Sequence, residues 1–457
     1  MKITHRIAEF VASTPTAAIP PEAREQARRA VLDTLGVMLA GSREEASIKV
    51  AALVREQGGV GEAAVLGHDF RAPAFEAALV NGTSAHALDF DDVSVTMRGH
   101  PSVPLLPAVL ALGEKLGSSG EELTDAFVIG FEVECKLGSV IGGRHYALGW
   151  HPTATFGTIG AAAASARLLG LDVDTTRMTL GIAASLASGA RRNFGSMTKP
   201  LHAGWAARNG VIAAGLASRG FTADDEALEA PDGWLHAASG GAPVDPSPIE
   251  HLGDTWEIVS PGIDVKLYPC CYFTHLSIDA ALEISARVSP QMAAIEGVRV
   301  SVSPGTMMVL RKEPPQTGLE GKFSIEYCVA AALADGDVSL ATFDDGAVAR
   351  PNVRALMKRV RVTEDGPPAS APLGGSAVVQ VAFLDGERIS SPLVDIPRGA
   401  PQNPLSWSLL AQKFRDCATL VLDRSRTEPV IGLIEKLDDL PDVRNLVAAF
   451  RMDSVHV

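Results

Sequence analysis

Aromatic side chains are scarce: Phe, Trp and Tyr make up 5% of the 457 residues. A core built on ring packing is therefore excluded. Alanine and glycine are abundant instead, which points to helices meeting closely over small side chains. Basic residues are outnumbered, with 40 Lys and Arg against 54 Asp and Glu and a net charge of −14. Such acidity argues against a nucleic-acid or anionic-membrane partner, because both need a basic face. The five cysteines show no CxxC spacing, although Cys270 and Cys271 are adjacent. A disulfide framework is not expected, and a reducing cytoplasm is the natural compartment. No apolar run is long enough to span a bilayer. The most apolar stretch, 155–171, is broken by Arg167 and reads as a buried helix. The N-terminus has no charged region followed by an apolar run, so no secretory signal is expected.

The common cofactor motifs are also missing. There is no GxxxxGK[ST], strand-linked GxGxxG, HExxH, GxSxG elbow or zinc-spaced Cys/His set. Together these gaps favour catalysis by side chains alone, with no metal and no organic cofactor.

What is present is helical periodicity. Pro20-Pro21 opens a pattern over 22–39, in which Ala23, Ala27, Ala30, Val31, Leu35 and Met38 recur at helical spacing. Further patterns cover about 73–88, 102–116, 120–140, 153–170, 174–189 and 203–219, and several stop at Gly117, Gly170 or Gly220, where a left-handed cap is expected. The composition shifts near Pro261. Gly297–Ser303, Arg359–Thr363 and Ser376–Phe383 alternate with period two and are rich in β-branched residues, so strands are expected, with helical patterns at 274–287, 323–334 and 350–357 and a Pro/Gly/Ser/Ala loop at 366–375. Helices return after Asn403, at about 404–421, 428–435 and 440–450. The fold class expected is mostly α: a large all-helical domain of residues 1–262 and 403–457, made discontinuous by a smaller α+β domain of residues 263–402.

One local arrangement repeats. His100-Pro101, His151-Pro152 and Lys199-Pro200 each set a cationic or protonatable side chain before a proline that opens a helical pattern. Proline suits the first helical position, and the residue before it is pushed to extended geometry, which suits an N-cap. Each side chain is thus expected beside a helix N-terminus, where free N–H groups attract anions. Arg98, Arg144, His145, Arg191, Arg192, His202, Arg208 and Lys266 lie in the same stretches. A pocket for a small anionic carboxylate is the reading, and a histidine held neutral beside a helix N-terminus can act as a base in it. The run Asp89-Phe-Asp-Asp92 at a helix end can orient a histidine, raise one of its own pKa values or bind a divalent cation. His275 begins a helix, as a proton donor or a polar cap. For Cys270, Cys271 and Tyr327 the residues alone favour packing.

Several stretches together resemble the MmgE/PrpD family of 2-methylcitrate dehydratases, cis-aconitate decarboxylases and iminodisuccinate epimerases. They are Ala85-His-Ala-Leu-Asp-Phe-Asp-Asp92, His100-Pro-Ser, His151-Pro-Thr, Thr198-Lys-Pro-Leu-His-Ala-Gly204, Tyr268-Pro-Cys-Cys and Phe323-Ser-Ile-Glu-Tyr327. The resemblance implies a helical domain, an α+β lid, a site between them, a homodimer, and neither metal nor organic cofactor. It implies that Asp89, His100, His151, Lys199, His275 and Tyr327 are catalytic, with Arg191, Arg192, His202, Lys266 and Cys271 binding substrate. The Thr-Lys-Pro-Leu-His stretch leans to the decarboxylase and epimerase side. The decarboxylases differ in having a threonine where this chain has Val93 and a histidine where it has Cys271.

The activity expected is cofactor-independent proton transfer beside a carboxylate of a di- or tricarboxylate, ending in loss of CO₂, loss of water or epimerisation. Two rivals stand beside it: a non-catalytic organic-acid binding protein, and a metal-dependent hydratase built on Asp89, Asp91 and Asp92.

Overall fold

The computed structural model describes residues 2–288, 294–311, 313–367 and 375–451. It contains two compact units, Met1–Val265 with Ser406–Val457, and Lys266–Leu405.

The first unit starts with α1 (Ile3–Ser13), α2 (Pro21–Gly41) and α3 (Glu45–Gln57), then a short antiparallel ribbon of β1 (Ala63–Ala64) and β2 (Arg71–Ala72). There follow α4 (Ala74–Ala87), α5 (Ser102–Leu116), α6 (Gly120–Ile141), α7 (Gly143–Ala147), α8 (Pro152–Leu168), α9 (Val173–Leu186) and α10 (Thr198–Ala217). The short α11 (Trp234–Ala238) and α12 (Ser247–Glu250) close the series. The helix boundaries have local causes. Ser119 opens α6 by accepting from the Glu122 N–H at 3.2 Å, while the Glu122 carboxylate accepts from the Ser119 N–H at 2.8 Å. Two orphan donors are thereby satisfied. α5 stops at Gly117, whose φ of 72° is strained for any residue with a Cβ.

Small residues let these helices touch. α8 is buried from Pro152 through Ala166. A Cβ added at Gly130 on α6 would lie 2.8 Å from the Gly160 carbonyl oxygen and from the Ala164 Cβ. The α4–α10 crossing follows the same rule. A Cβ at Gly82 would lie 2.9 Å from the Gly204 Cα, and one at Gly204 would lie 2.3 Å from the Leu79 carbonyl oxygen and the Thr83 Oγ1. Backbone therefore rests on backbone where α4, which carries His86, meets α10, which carries Lys199 and His202.

The second unit comprises α13 (His275–Val288), β3 (Ile295–Val302), α14 (Gly318–Gly321), α15 (Ile325–Asp335), α16 (Asp345–Val348), α17 (Pro351–Met357), β4 (Val360–Thr363), β5 (Ala377–Phe383) and β6 (Arg388–Ser390). The sheet order is β4-β3-β5-β6. β3 runs parallel to β4, pairing Val298 with Val360, and antiparallel to β5, pairing Val298 with Val381. Ala377, Val379, Val381 and Phe383 alternate into the core, where Leu276 and Ile284 of α13 and Val329 and Leu333 of α15 meet them. The loop expected at 366–375 falls mostly outside the described residues. The chain then returns to the first unit as α18 (Trp407–Ala418), α19 (Thr427–Glu435) and α20 (Arg444–Ala448). No helix among the described residues is long and apolar enough to cross a membrane.

Candidate functional site

α4 carries His86 in its last turn, and the chain leaves it through a left-handed turn at Asp89, whose φ is 54°. That geometry costs a non-glycine residue roughly 1–2 kcal/mol. The turn resolves the conflict of three carboxylates at a helix C-terminus, because it sends each to a different partner. Asp89 Oδ1 lies 2.8 Å from Lys199 Nζ. Asp91 Oδ2 lies 2.9 Å from the Nδ1 atoms of both His86 and His100. Asp92 turns forward to α5, where its Oδ1 accepts from the Ser102 N–H at 3.2 Å and its Oδ2 meets the Ser102 hydroxyl. Asp92 thereby reaches the N-terminus of α5, where backbone N–H groups lack intrahelical acceptors.

His151 occupies the cap position of α8 with Pro152 first in the helix, as its spacing predicts. The other two prolines act differently. Pro101 itself takes the cap before Ser102, so His100 stands one residue outside α5. Lys199 lies within α10, after Thr198. Proline is tolerated anywhere in a first helical turn, because those N–H groups have no intrahelical acceptor. The dipeptide alone therefore leaves the start uncertain by a residue or two. The His151 side chain makes no capping hydrogen bond to α8.

The imidazoles form a chain. Ring centroids of His100 and His86 are 4.6 Å apart, those of His86 and His151 5.7 Å, and those of His151 and His202 5.2 Å. The Nδ1 atoms of His151 and His202 are 3.0 Å apart, so one of them carries the hydrogen. Burial lowers the pKa of His86 to about 4 and that of His202 to about 4, and drives His151 well below its usual value, helped by the neighbouring His86 and Lys199. All three are neutral near pH 7. Burial opposes ionisation of Asp91, yet His100 and His86 more than offset it and hold this carboxyl well below the usual range.

These contacts fix a tautomer. His100 Nδ1 also lies 2.9 Å from the Asp92 carbonyl oxygen, which can only accept, so Nδ1 carries the hydrogen. Its Nε2 sits 3.8 Å from Asp89 Oδ1, the oxygen that pairs with Lys199. His86 likewise donates through Nδ1 to Asp91. The buried Nε2 atoms of His86 and His151 have no hydrogen-bond partner among the described residues. Phe194 closes one wall, edge-on to His151 at 4.8 Å and 5.1 Å from Lys199 Nζ. Three residues before it Arg191 stacks on Tyr146 at 4.3 Å, with its buried Nη1 lacking an acceptor among the described residues. Arg192 is exposed and does not join the group.

Asp92 supplies a pH test. Burial, aided by Asp33 and Asp91, raises its pKa to about 8. A carboxyl whose folded pKa exceeds its unfolded value costs the fold stability as pH rises through that window. Asp92→Asn mimics the protonated acid. It should match the parent near pH 4 and gain on it by roughly 1.4 kcal/mol per pH unit up to about pH 8. Thermal unfolding of both proteins across that range measures this, and a pH-independent difference would contradict it.

The carboxylates proposed as a metal set do not group as expected, because Asp92 is turned to Ser102. The atoms that gather within 4.8 Å of one another belong to His86, Asp89, Asp91 and His100. A cation there would displace two N–H donors from Asp91 and stand beside the Lys199 ammonium. The donor set fits a hydrogen-bond network better than a ligand shell.

Other predicted residues have partners of their own. His145 spends its ring on the Ala238 carbonyl at 2.9 Å and the Thr155 hydroxyl at 2.7 Å, and Arg208 pairs with Glu76 at 2.9 Å. In the second unit, His275 is fully buried between Tyr268 and Tyr272, with Nε2 3.3 Å from the Cys270 carbonyl and Nδ1 without a partner among the described residues. Lys266 is buried, and the Cys271 N–H donates to the Lys322 carbonyl at 2.9 Å. The Tyr327 hydroxyl donates to the Thr342 carbonyl, and burial raises its pKa. His86 was not singled out as a site residue in the sequence, and Asp91 only within the acidic run. Their signal was there, in the spacing of a histidine three and five residues before two aspartates at a helix end.

Comparison with known proteins places this geometry in context. Residues 5–247 match the MmgE/PrpD N-terminal domain and residues 268–439 the MmgE/PrpD C-terminal domain. The chain is 32% identical to the cis-aconitate decarboxylase of Mus musculus, over 94% of this chain and 89% of that protein. It is 30% identical to that of Homo sapiens, over 92% and 88%, and 28% identical to that of Aspergillus terreus, over 97% and 95%.

Proposed function

The chain belongs to the MmgE/PrpD family, and from that premise we propose that it is a carboxy-lyase of the cis-aconitate decarboxylase kind, acting on a small unsaturated polycarboxylate without a cofactor. One observation carries the reading: His100, its Nδ1 hydrogen held by Asp91 and the Asp92 carbonyl, sets Nε2 3.8 Å from the Asp89 oxygen that pairs with Lys199, next to the buried neutral imidazoles of His86, His151 and His202. Decarboxylation with a double-bond shift consumes one proton. The bond to the departing carboxylate breaks, its electron pair becomes the new double bond, and the former π pair takes a proton. Whichever of His100 and His151 carries a hydrogen on Nε2 delivers that proton to carbon, and water replaces it. Lys199 and Arg191 hold the carboxylates that stay and stabilise charge as it develops, Asp89 orients Lys199, and Asp91 orients His100. His202 supports His151. His275, Tyr327, Lys266 and Cys271 are proposed to serve the same site from the second unit. The chain is proposed to work as a cytoplasmic homodimer, a reading supported by the family resemblance and by the unpaired cysteine count.

The test is NMR in D₂O on cis-aconitate, methylcitrate, citramalate and iminodisuccinate, each with and without chelator. CO₂ loss from cis-aconitate, deuterium in the product and indifference to chelator are expected. Water loss from methylcitrate would make the chain a dehydratase, and exchange without loss would make it an epimerase. Binding without any exchange would make it a carryover of the fold into organic-acid binding.

A further inference from the structure

Asp33 on α2 and Lys413 on α18 are both buried, and their Oδ1 and Nζ atoms are 2.7 Å apart. The same ammonium donates to the Phe90 carbonyl at 2.8 Å and sits 3.9 Å from the centre of the Phe90 ring. Phe90 lies between Asp89, which faces Lys199, and Asp91, which faces His86 and His100. The fold makes room for this reach. Gly36, one turn after Asp33, would bring a Cβ to 3.2 Å from the Phe414 backbone, so α2 and α18 meet beside the pair.

We propose that Lys413, held by Asp33, is a positioning residue that clamps the left-handed turn at 89–91 and so sets the relative placement of the Asp89–Lys199 and Asp91–imidazole contacts. The inference rests on the roles given above to Asp89 and Asp91. A buried ion pair is a poor source of stability, since an apolar pair of the same volume often does as well or better. Its position is better explained by what else the ammonium holds. A backbone carbonyl gripped by a buried cation is a directional constraint, and it acts on the one residue between the two contact sets. The turn it grips is the one with a positive-φ aspartate, a conformation that persists only when its surroundings impose it. The clamp also ties a helix near the C-terminal end of the chain to a site built from residues 86–202, so that segment has a part in the chemistry.

The test compares Asp33→Asn with Asp33→Asn/Lys413→Met, so that no buried carboxylate is orphaned when the amine is removed. Relative to the single variant, kcat should fall roughly tenfold to a hundredfold, as for a displacement of about 1 Å at a reacting group, with KM changed far less. The ¹⁵N shifts and titration of the His86 and His100 rings should also move, because Asp91 is displaced. Equal kcat together with unmoved ring signals would overturn the proposal, whatever happened to the melting temperature. Should the double variant fail to fold, Asp33→Asn/Lys413→Gln carries the same comparison, since the shorter amide cannot span the same contacts. A parent protein inactive on every acid, with ring signals that still respond to Lys413, would sink the decarboxylase reading and leave the clamp standing.

Discussion

Replacing Lys199 with alanine is expected to lower kcat/KM on the decarboxylated acid by at least roughly two to three orders of magnitude. Two effects combine. The variant loses a cation in a site shielded from water, where a charge-assisted contact is worth more than at the surface. It also uncovers the Asp89 carboxylate, which in the parent lies 2.8 Å from the ammonium and would then repel an anionic substrate. KM should therefore rise as kcat falls. Asp89→Asn in the Lys199→Ala background should recover part of the binding and little of the turnover, because it removes the repulsion without restoring the cation. Steady-state kinetics on the three proteins settles this. A Lys199→Ala enzyme within about threefold of the parent would remove electrostatic stabilisation by this residue from the mechanism.

The second large effect concerns the two histidines. Loss of one positioned acid or base typically costs about 10² to 10⁴ in rate. His100→Ala should fall in that range, and His100→Ala combined with His151→Ala should leave only what binding and Lys199 supply. The pair acts on one proton, so the two losses should not multiply. Asp91→Asn offers an internal check: it leaves His100 in place but weakens the hold on its Nδ1 hydrogen, and should cost less than deleting the ring. Survival of activity on every polycarboxylate after both histidines are removed would show that the proton moves by another route.

The mostly helical class was legible because its signals are local and repeat. The 22–39 pattern, the buried run after His151-Pro152 and the β-branched alternation at Gly297–Ser303 each span enough residues to show a period. β1, β2 and β6 are two or three residues long, too short to show one. Within the site, His151 was legible to the residue, since proline at the first helical position fixes the cap before it. His100 and Lys199 were placed in the right region with the wrong relation to their helices, because proline is allowed at more than one place in the first turn. The turn at Asp89 carries no sequence mark: a left-handed aspartate is disfavoured locally and exists through contacts made elsewhere. Lys413 was out of reach for the same reason, as only the folded chain brings it to Asp33 and Phe90.

The α4–α10 crossing decides how wide the site is. With no side chain at positions 82 and 204, bare main chain gauges the distance between α4, which carries His86, and α10, which carries Lys199 and His202. A methyl group at 204 would act as a shim, prising the two helices apart while leaving every reagent present and chemically intact. An enzyme silenced there would have kept its tools and lost its tolerance, so a substitution scan that scores only activity would rank Gly204 alongside the residues proposed to move the proton.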